Sequence, residues 1–217
     1  MGISPATRSA PSTCITTGLD TSLRTIKRAL GPLAAILCLT AVACASAPAL
    51  HGSALNPPRP APDFSLADQY GRRFVLSGER GLEVALFFGY THCTDVCPQT
   101  LVLLQKARSL ASLTPHRMTL VMISVDPQRD TRAAFIAFFK KIRVDAVGLN
   151  GSAPRLHAVY HAYGVFAQSG KSGVTHTDAV FLIDPQGRLR EVLEPDMPPT
   201  AVAQDLRAIA STAAAGT

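Results

Sequence analysis

The chain has 217 residues and a formal charge of +6; 47% of it is apolar, 6% is aromatic, and it contains no tryptophan. Four basic residues against one acidic lie in residues 1–44, and the mild excess that remains forms no basic run, which argues against nucleic acid as a partner. With an N-terminal address set aside, the rest suits one folded domain of about 150–170 residues around a single core.

Arg24, Lys27 and Arg28 precede an uncharged stretch over 29–50 that is most apolar over 33–44. Basic, then apolar, then small is the order of an export signal. Residues 1–44 therefore read as a signal peptide or membrane anchor. Three forms fit: a lipoprotein signal in which Thr40-Ala41-Val42-Ala43-Cys44 presents Cys44 for acylation, an uncleaved helix over 29–50, and a signal that is simply removed. Each predicts a domain in a bacterial cell envelope, on the periplasmic or extracytoplasmic side. Residues 45–60, rich in Ala, Ser and Pro, are expected to form an extended spacer, with the folded domain over 61–217.

In that domain, 63–67 and 72–76 flank a turn containing Gly71 and read as a hairpin. Residues 84–88 are a continuous apolar run, as in a strand covered on both faces. From Pro98 onward the period changes, and Leu101, Leu104, Ala107 and Ala111 fit one helix face. A second buried strand is expected over 118–125. Asp130 is expected to cap the next helix, which places Phe135, Phe138, Phe139 and Ile142 inward and ends near Lys140 and Lys141. Asn150-Gly151-Ser152 reads as a turn. Leu156, Val159, Tyr160 and Tyr163 form another helix face, closed by Gly164. Residues 168–173 read as a polar loop, 179–183 as a strand, 184–187 as a turn and 188–193 as its hairpin partner; a last helix begins near Thr200. Strands alternating with helices predict an α/β fold. A strand leading into a cysteine motif at a helix start is the layout of a thioredoxin-like fold. The N-terminal hairpin and the extra helix suit its peroxiredoxin-like branch.

The chemistry concentrates at Cys93 and Cys97. Cys14, Cys38 and Cys44 lie in the N-terminal region, so this is the domain's one close pair, which points to redox or metal chemistry rather than a disulfide scaffold. Four residues apart near a helix start, the two fall on one side, where helix amides favour thiolates. A dithiol oxidoreductase fits such a pair, although the common redox motif has two intervening residues and this one has Thr94, Asp95 and Val96. A peroxidase fits poorly, because its site carries threonine at the position of Tyr90. A metal site would combine the two thiolates with the imidazole of His176, a soft set that suits Cu(I); a structural zinc takes four ligands.

The run Phe88-Gly89-Tyr90-Thr91-His92-Cys93-Thr94-Asp95-Val96-Cys97-Pro98 resembles the SCO/SenC family of copper chaperones. So do Pro62-Asp63-Phe64, Ile123-Ser124-Val125-Asp126-Pro127-Gln128-Arg129-Asp130-Thr131, and His176 ahead of Val180-Phe181-Leu182-Ile183-Asp184-Pro185-Gln186-Gly187. The resemblance implies that Cys93, Cys97 and His176 bind copper, as Cu(I) or Cu(II), and that Cys93 and Cys97 also form a redox pair. It implies a membrane-tethered metallochaperone with thiol–disulfide reductase chemistry at hand. Its recipient would be the CuA site of cytochrome c oxidase subunit II, which it supplies with copper or whose cysteines it reduces. A thioredoxin-like reductant or another copper chaperone would be a further partner. Two departures stand out: Thr94, where the family often has proline, and Thr175, where it often has aspartate. The second removes a charge beside the metal, and neither removes a ligand. His92 reads as an aid to transfer or as an exposed loop residue. His157 and His161, at i and i+4, read as surface histidines for want of a third ligand. His51 and His116 read as linker and loop residues, and Asp126 and Arg129 as turn residues. An exported thiol–disulfide oxidoreductase is the competing reading.

Overall fold

A computed structural model describes residues 49–170, 173–194 and 196–214. The expected signal or anchor over 1–44, with Cys14, Cys38 and Cys44, lies outside the described residues. Among the described residues no helix is long and apolar enough to cross a membrane.

The centre of the sheet is β4 (Glu83–Gly89), buried along its whole length, with β5 (Met118–Ser124) parallel beside it in register from Glu83↔Met118 to Gly89↔Ser124. Next comes β6 (Val147–Asn150), also parallel, and then the antiparallel hairpin of β2 (Ser65–Asp68) and β3 (Arg73–Val75). On the other flank, β9 (Val180–Ile183) runs antiparallel to β4, followed by β10 (Arg188–Leu193) and β1 (Ser53–Pro60). The full order is β1-β10-β9-β4-β5-β6-β2-β3, and β7 (Ala167–Gly170) with β8 (Gly173–His176) forms a separate two-stranded sheet.

Strand alternation divides the core in two. Ala85, Phe87, Met118, Leu120 and Met122 face α1 (Val96–Leu110), α2 (Arg132–Ile142) and α4 (Pro199–Ala214). Val84, Leu86, Phe88, Val121 and Ile123 face α3 (Ala153–Tyr163) and the β2–β3 hairpin. Both faces of β4 and β5 are therefore covered, which is why these strands read as unbroken apolar runs. The expected α/β, thioredoxin-like architecture with its N-terminal hairpin is the one the chain adopts: a strand–helix–strand unit carries the cysteines, and a β9–β10–α4 unit closes the other flank.

Several local expectations are corrected. The spacer over 45–60 contains β1, paired through Ser53↔Val192 and Pro60↔Arg188, with the register interrupted between Ala54 and Arg59. Proline cannot donate to a ladder, so Pro57, Pro58 and Pro60 are tolerated only because β1 is an edge strand. His51 is no free linker residue, since its backbone N–H and Nδ1 both lie on Asp205 Oδ1, at 3.1 and 2.7 Å. Residues 147–150 are a strand that Gly148 and Asn150 disguise; a Cβ at Gly148 would stand 2.3 Å from the Phe135 ring, so only glycine lets α2 pack there. Of the loop expected over 168–173, Gln168 to Gly170 belong to β7 and Gly173 to β8, and the two strands pair antiparallel. The cap of α2 is Thr131, whose Oγ1 accepts from Ala134 N–H at 3.1 Å, not Asp130.

Two buried carboxyls give the domain a pH dependence. Burial pushes Glu83 up to about 7 from an ordinary 4.5, against the opposing charge of Arg117, and Glu83 Oε2 has no hydrogen-bond partner among the described residues. Burial likewise pushes Glu191 up to about 7, against the N–H of Gly52; Asp205 lies beside it and adds to the rise. Glu191 Oε2 and Asp205 Oδ2 have no hydrogen-bond partner among the described residues, so nothing there offsets the cost of burying the Glu191 charge. Between 4.5 and about 7 the native state holds protons that the unfolded chain has released, so raising the pH through that window favours unfolding. Unfolding midpoints are expected to fall from pH 5 to pH 8, and Glu83→Gln to recover on the order of 1–3 kcal/mol at the alkaline end while converging with the parent at the acid end. A midpoint that rises across this window contradicts the assignment.

Candidate metal centre

The cysteines sit where the parallel strands end. In open α/β sheets the carboxyl ends of parallel strands are where ligands are met. β4 stops at Gly89, and a Cβ there would stand 2.5 Å from the Phe87 ring and 3.1 Å from Cys97 Sγ. The hard clash is with the Phe87 ring, and glycine leaves that ring and the Cys97 sulfur room at the strand end. Residues 90–95 then turn back into α1, with Cys93 N–H donating to Tyr90 O at 3.3 Å.

The loop is held from below by one carboxylate. Asp130 is fully buried; its Oδ1 accepts from Thr91 N–H at 2.8 Å and from Thr91 Oγ1 at 2.7 Å, and its Oδ2 accepts from Ser124 Oγ at 2.5 Å. Tyr160 Oη donates to Ser124 O and extends the network toward α3. Burial pushes the Asp130 carboxyl above the usual carboxylate range, and the Ser124 and Thr91 donors oppose it. Asp126 pairs with Arg129 in the adjoining turn, as expected.

Both thiols are free, and Cys93 Sγ accepts the backbone N–H of Cys97 at 3.4 Å. The sulfur thus takes up an amide of the first turn of α1, where Asp95 makes no side-chain cap. Cys93 is half-buried, whereas Cys97 is wholly buried. Burial pushes the Cys97 thiol well up; the backbone N–H of Tyr90 works the other way, and the neighbouring Cys93 and the Asp178 carboxylate add to the rise.

His176 ends β8, and its side chain is only 6% exposed. Its ring meets Tyr90 edge-on at 5.9 Å between centroids and Phe87 at 6.5 Å. Nδ1 lies 3.1 Å from Thr177 O and 3.3 Å from Asp178 Oδ1. A carbonyl can only accept, so Nδ1 carries the proton and Nε2 is left as the donor to a metal. Asp178 Oδ1 has no bond of hydrogen-bond geometry, so its 3.3 Å approach to the ring is an electrostatic contact and the Nδ1 proton belongs to Thr177. Asp178 supplies a carboxylate beside the imidazole, two residues after it. The sequence reading did not single out Asp178.

Tyr90 therefore stands between Cys93 and His176, its hydroxyl pushed up by burial and then by the two cysteines. The structure brings Cys93 and Cys97 together and carries His176 to the same end. Among the described residues, however, no three His, Cys, Asp or Glu side chains stand close enough to hold a metal ion. The other histidines stay apart from the site. His92 is exposed, with Nδ1 3.1 Å from Thr91 Oγ1. His157 and His161 are exposed on α3, His157 against the Tyr160 ring, and His116 is exposed in its turn.

A family model described as SCO1/SenC matches residues 53–211. The chain belongs to the SCO1/SenC family. It is 37% identical over 135 residues to the mitochondrial SCO2 homolog of Bos taurus, covering 58% of this chain and 50% of that relative. The chain spans about half the length of the curated relatives it matches. Two solved structures with copper bound share the fold. Arabidopsis thaliana ScoI aligns with a TM-score of 0.65 and 25% identity over 70% of this chain and 98% of that one. Bradyrhizobium japonicum ScoI aligns with a TM-score of 0.63 and 28% identity over 69% and 98%. The SCO1/SenC match takes in the cysteine loop, Asp130 and the His176 hairpin, so the geometry above is that of a family member.

Asp130→Ala leaves the Thr91 amide without its buried acceptor, an expected loss of about 1–3 kcal/mol. Hydrogen exchange at Thr91 and Cys93 should accelerate while amides of β10 keep their protection; unchanged exchange at Thr91 would show that Asp130 does not hold the loop.

Proposed function

We propose that this domain carries copper on Cys93, Cys97 and His176 and passes it to the CuA site of cytochrome c oxidase subunit II, or reduces that site's cysteines. The observation that carries this reading is the gathering of two thiols and an imidazole around Tyr90, in a member of a family whose structures include copper-bound forms. The donor set is soft, and two thiolates with a neutral imidazole suit Cu(I). Copper is cargo here. Binding takes the proton from each thiol, including the one that burial holds on Cys97. His176 sits on a two-stranded hairpin outside the main sheet, so the triad closes by a shift of β7–β8 while the sheet stays as it is. We further propose that residues 1–44 export the domain and tether it in a bacterial cell envelope, with 61–217 as the copper-binding unit and β1 securing the connection.

The test is anaerobic Cu(I) titration of the reduced full chain with Cys14, Cys38 and Cys44 changed to serine. Uptake of about one copper per chain is expected. Cys93→Ala or Cys97→Ala should abolish tight uptake, and His176→Ala should weaken it by more than the roughly 10–100-fold that loss of an outer-shell partner costs. Unchanged affinity in the cysteine variants would falsify the assignment.

The contact of Cys93 with Cys97, without His176 in bonding distance, also supports a second reading, an exported thiol–disulfide oxidoreductase. On that reading His176→Ala leaves the dithiol potential and the exchange rate unchanged.

A further inference from the structure

Cys93 has two sides. On one, its sulfur accepts the Cys97 N–H, and Tyr90 and then His176 lie beyond. On the other, a groove of about 550 Å³ opens between the cysteine loop and α2, lined by His92, Cys93, Ala134, Ala137, Phe138 and Lys141 among others. Tyr90, Cys97 and His176 do not line it. A molecule entering by this groove reaches Cys93 without displacing the other two donors.

The walls of the groove state what it takes. Ala134 and Ala137 lie one turn apart on α2, and their small side chains leave a shallow apolar floor over the buried ring of Phe138. The ionisable side chains at its rim are His92 and Lys141, apart from Cys93 itself; both are exposed, and no carboxylate lines it among the described residues. Lys141 makes no ion pair among the described residues. Asp95, the acidic residue of the loop, does not line the groove, and its Oδ1 accepts from Gln99 Nε2. An apolar trough with a lysine at its rim, ending at a thiol, matches an extended peptide that carries acidic side chains beside a cysteine.

We propose that this groove docks an acidic, cysteine-bearing segment of a partner protein and brings its sulfur to Cys93 from the side away from Cys97 and His176. The proposal rests on the reading of Cys93 as the sulfur that carries or exchanges. It deepens that reading by making Cys93 the first donor a recipient meets and by giving the recipient a charge.

The test uses the full chain with Cys14, Cys38 and Cys44 changed to serine and Cys97→Ala, so that Cys93 is the only thiol. Short peptides with one cysteine flanked by glutamate, or by lysine, are supplied as mixed disulfides with thionitrobenzoate. The Cys93 thiolate attacks the peptide sulfur, the old S–S bond breaks, thionitrobenzoate leaves with the electron pair, and a Cys93–peptide disulfide forms. At low ionic strength the acidic peptide is expected to react about 10-fold faster than the basic one, and added salt should shrink that ratio. Lys141→Glu should abolish or invert the preference. Ala137→Arg, which fills the trough, should slow both peptides while leaving the rate with neutral hydroxyethyl disulfide unchanged, which also shows that the variant is folded. Equal rates for the two peptides, or a preference untouched by Lys141→Glu, overturn the proposal. Cu(I) titration of the same chain with Cys97 restored separates the two readings: normal uptake with no charge preference refutes the groove alone, and a charge preference without uptake refutes the copper reading alone.

Discussion

The cysteine loop depends on a single buried carboxylate. Asp130 reaches across from the end of β5, takes both donors of Thr91, and is itself held by Ser124. Residues 90–95 have no strand or helix ladder of their own, so without that anchor their amides would be satisfied by water and the sulfurs would not stand at a defined place. The cluster is buried, and in a low-dielectric setting a satisfied polar network is stiff while a broken one is expensive. The position of Cys93 is thus set by a residue far from it in sequence.

The histidine side is built differently. His176 ends a hairpin that belongs to no larger sheet, and it is fixed by ring contacts with Tyr90 and Phe87 and by the carbonyl of Thr177. The thiols are mounted at the end of the main sheet and the imidazole on a separate two-stranded pair. Tyr90 touches both parts, its ring against His176 and its carbonyl accepting from Cys93 N–H.

A third cluster lies where the chain enters the domain. His51 and Gly52 place their N–H groups on Asp205 and Glu191, two carboxyls buried against each other, and β1 then pairs along β10. The N-terminal segment is tied down by charge as well as by a ladder. Its proline-rich composition suggests a free linker, but composition does not register the edge of β10 waiting beside it.

Local pattern was enough for the buried strands β4, β5 and β9, the inward faces of α1, α2 and α3, and the cysteine pair at a strand-to-helix junction. Those follow from the spacing of apolar side chains within one element and from chemistry within a few residues. The sequence also identified Cys93, Cys97 and His176 as the donors to consider. Folding alone makes strands of β1 and β6, because each becomes one by pairing with a neighbour far along the chain. It also makes Asp130 the anchor of the loop rather than the cap of α2, sets Asp178 beside the imidazole, brings Tyr90 against both Cys93 and His176, and opens a groove beside Cys93. Each of these is a distance between residues that local periodicity does not relate, and only packing brings them together.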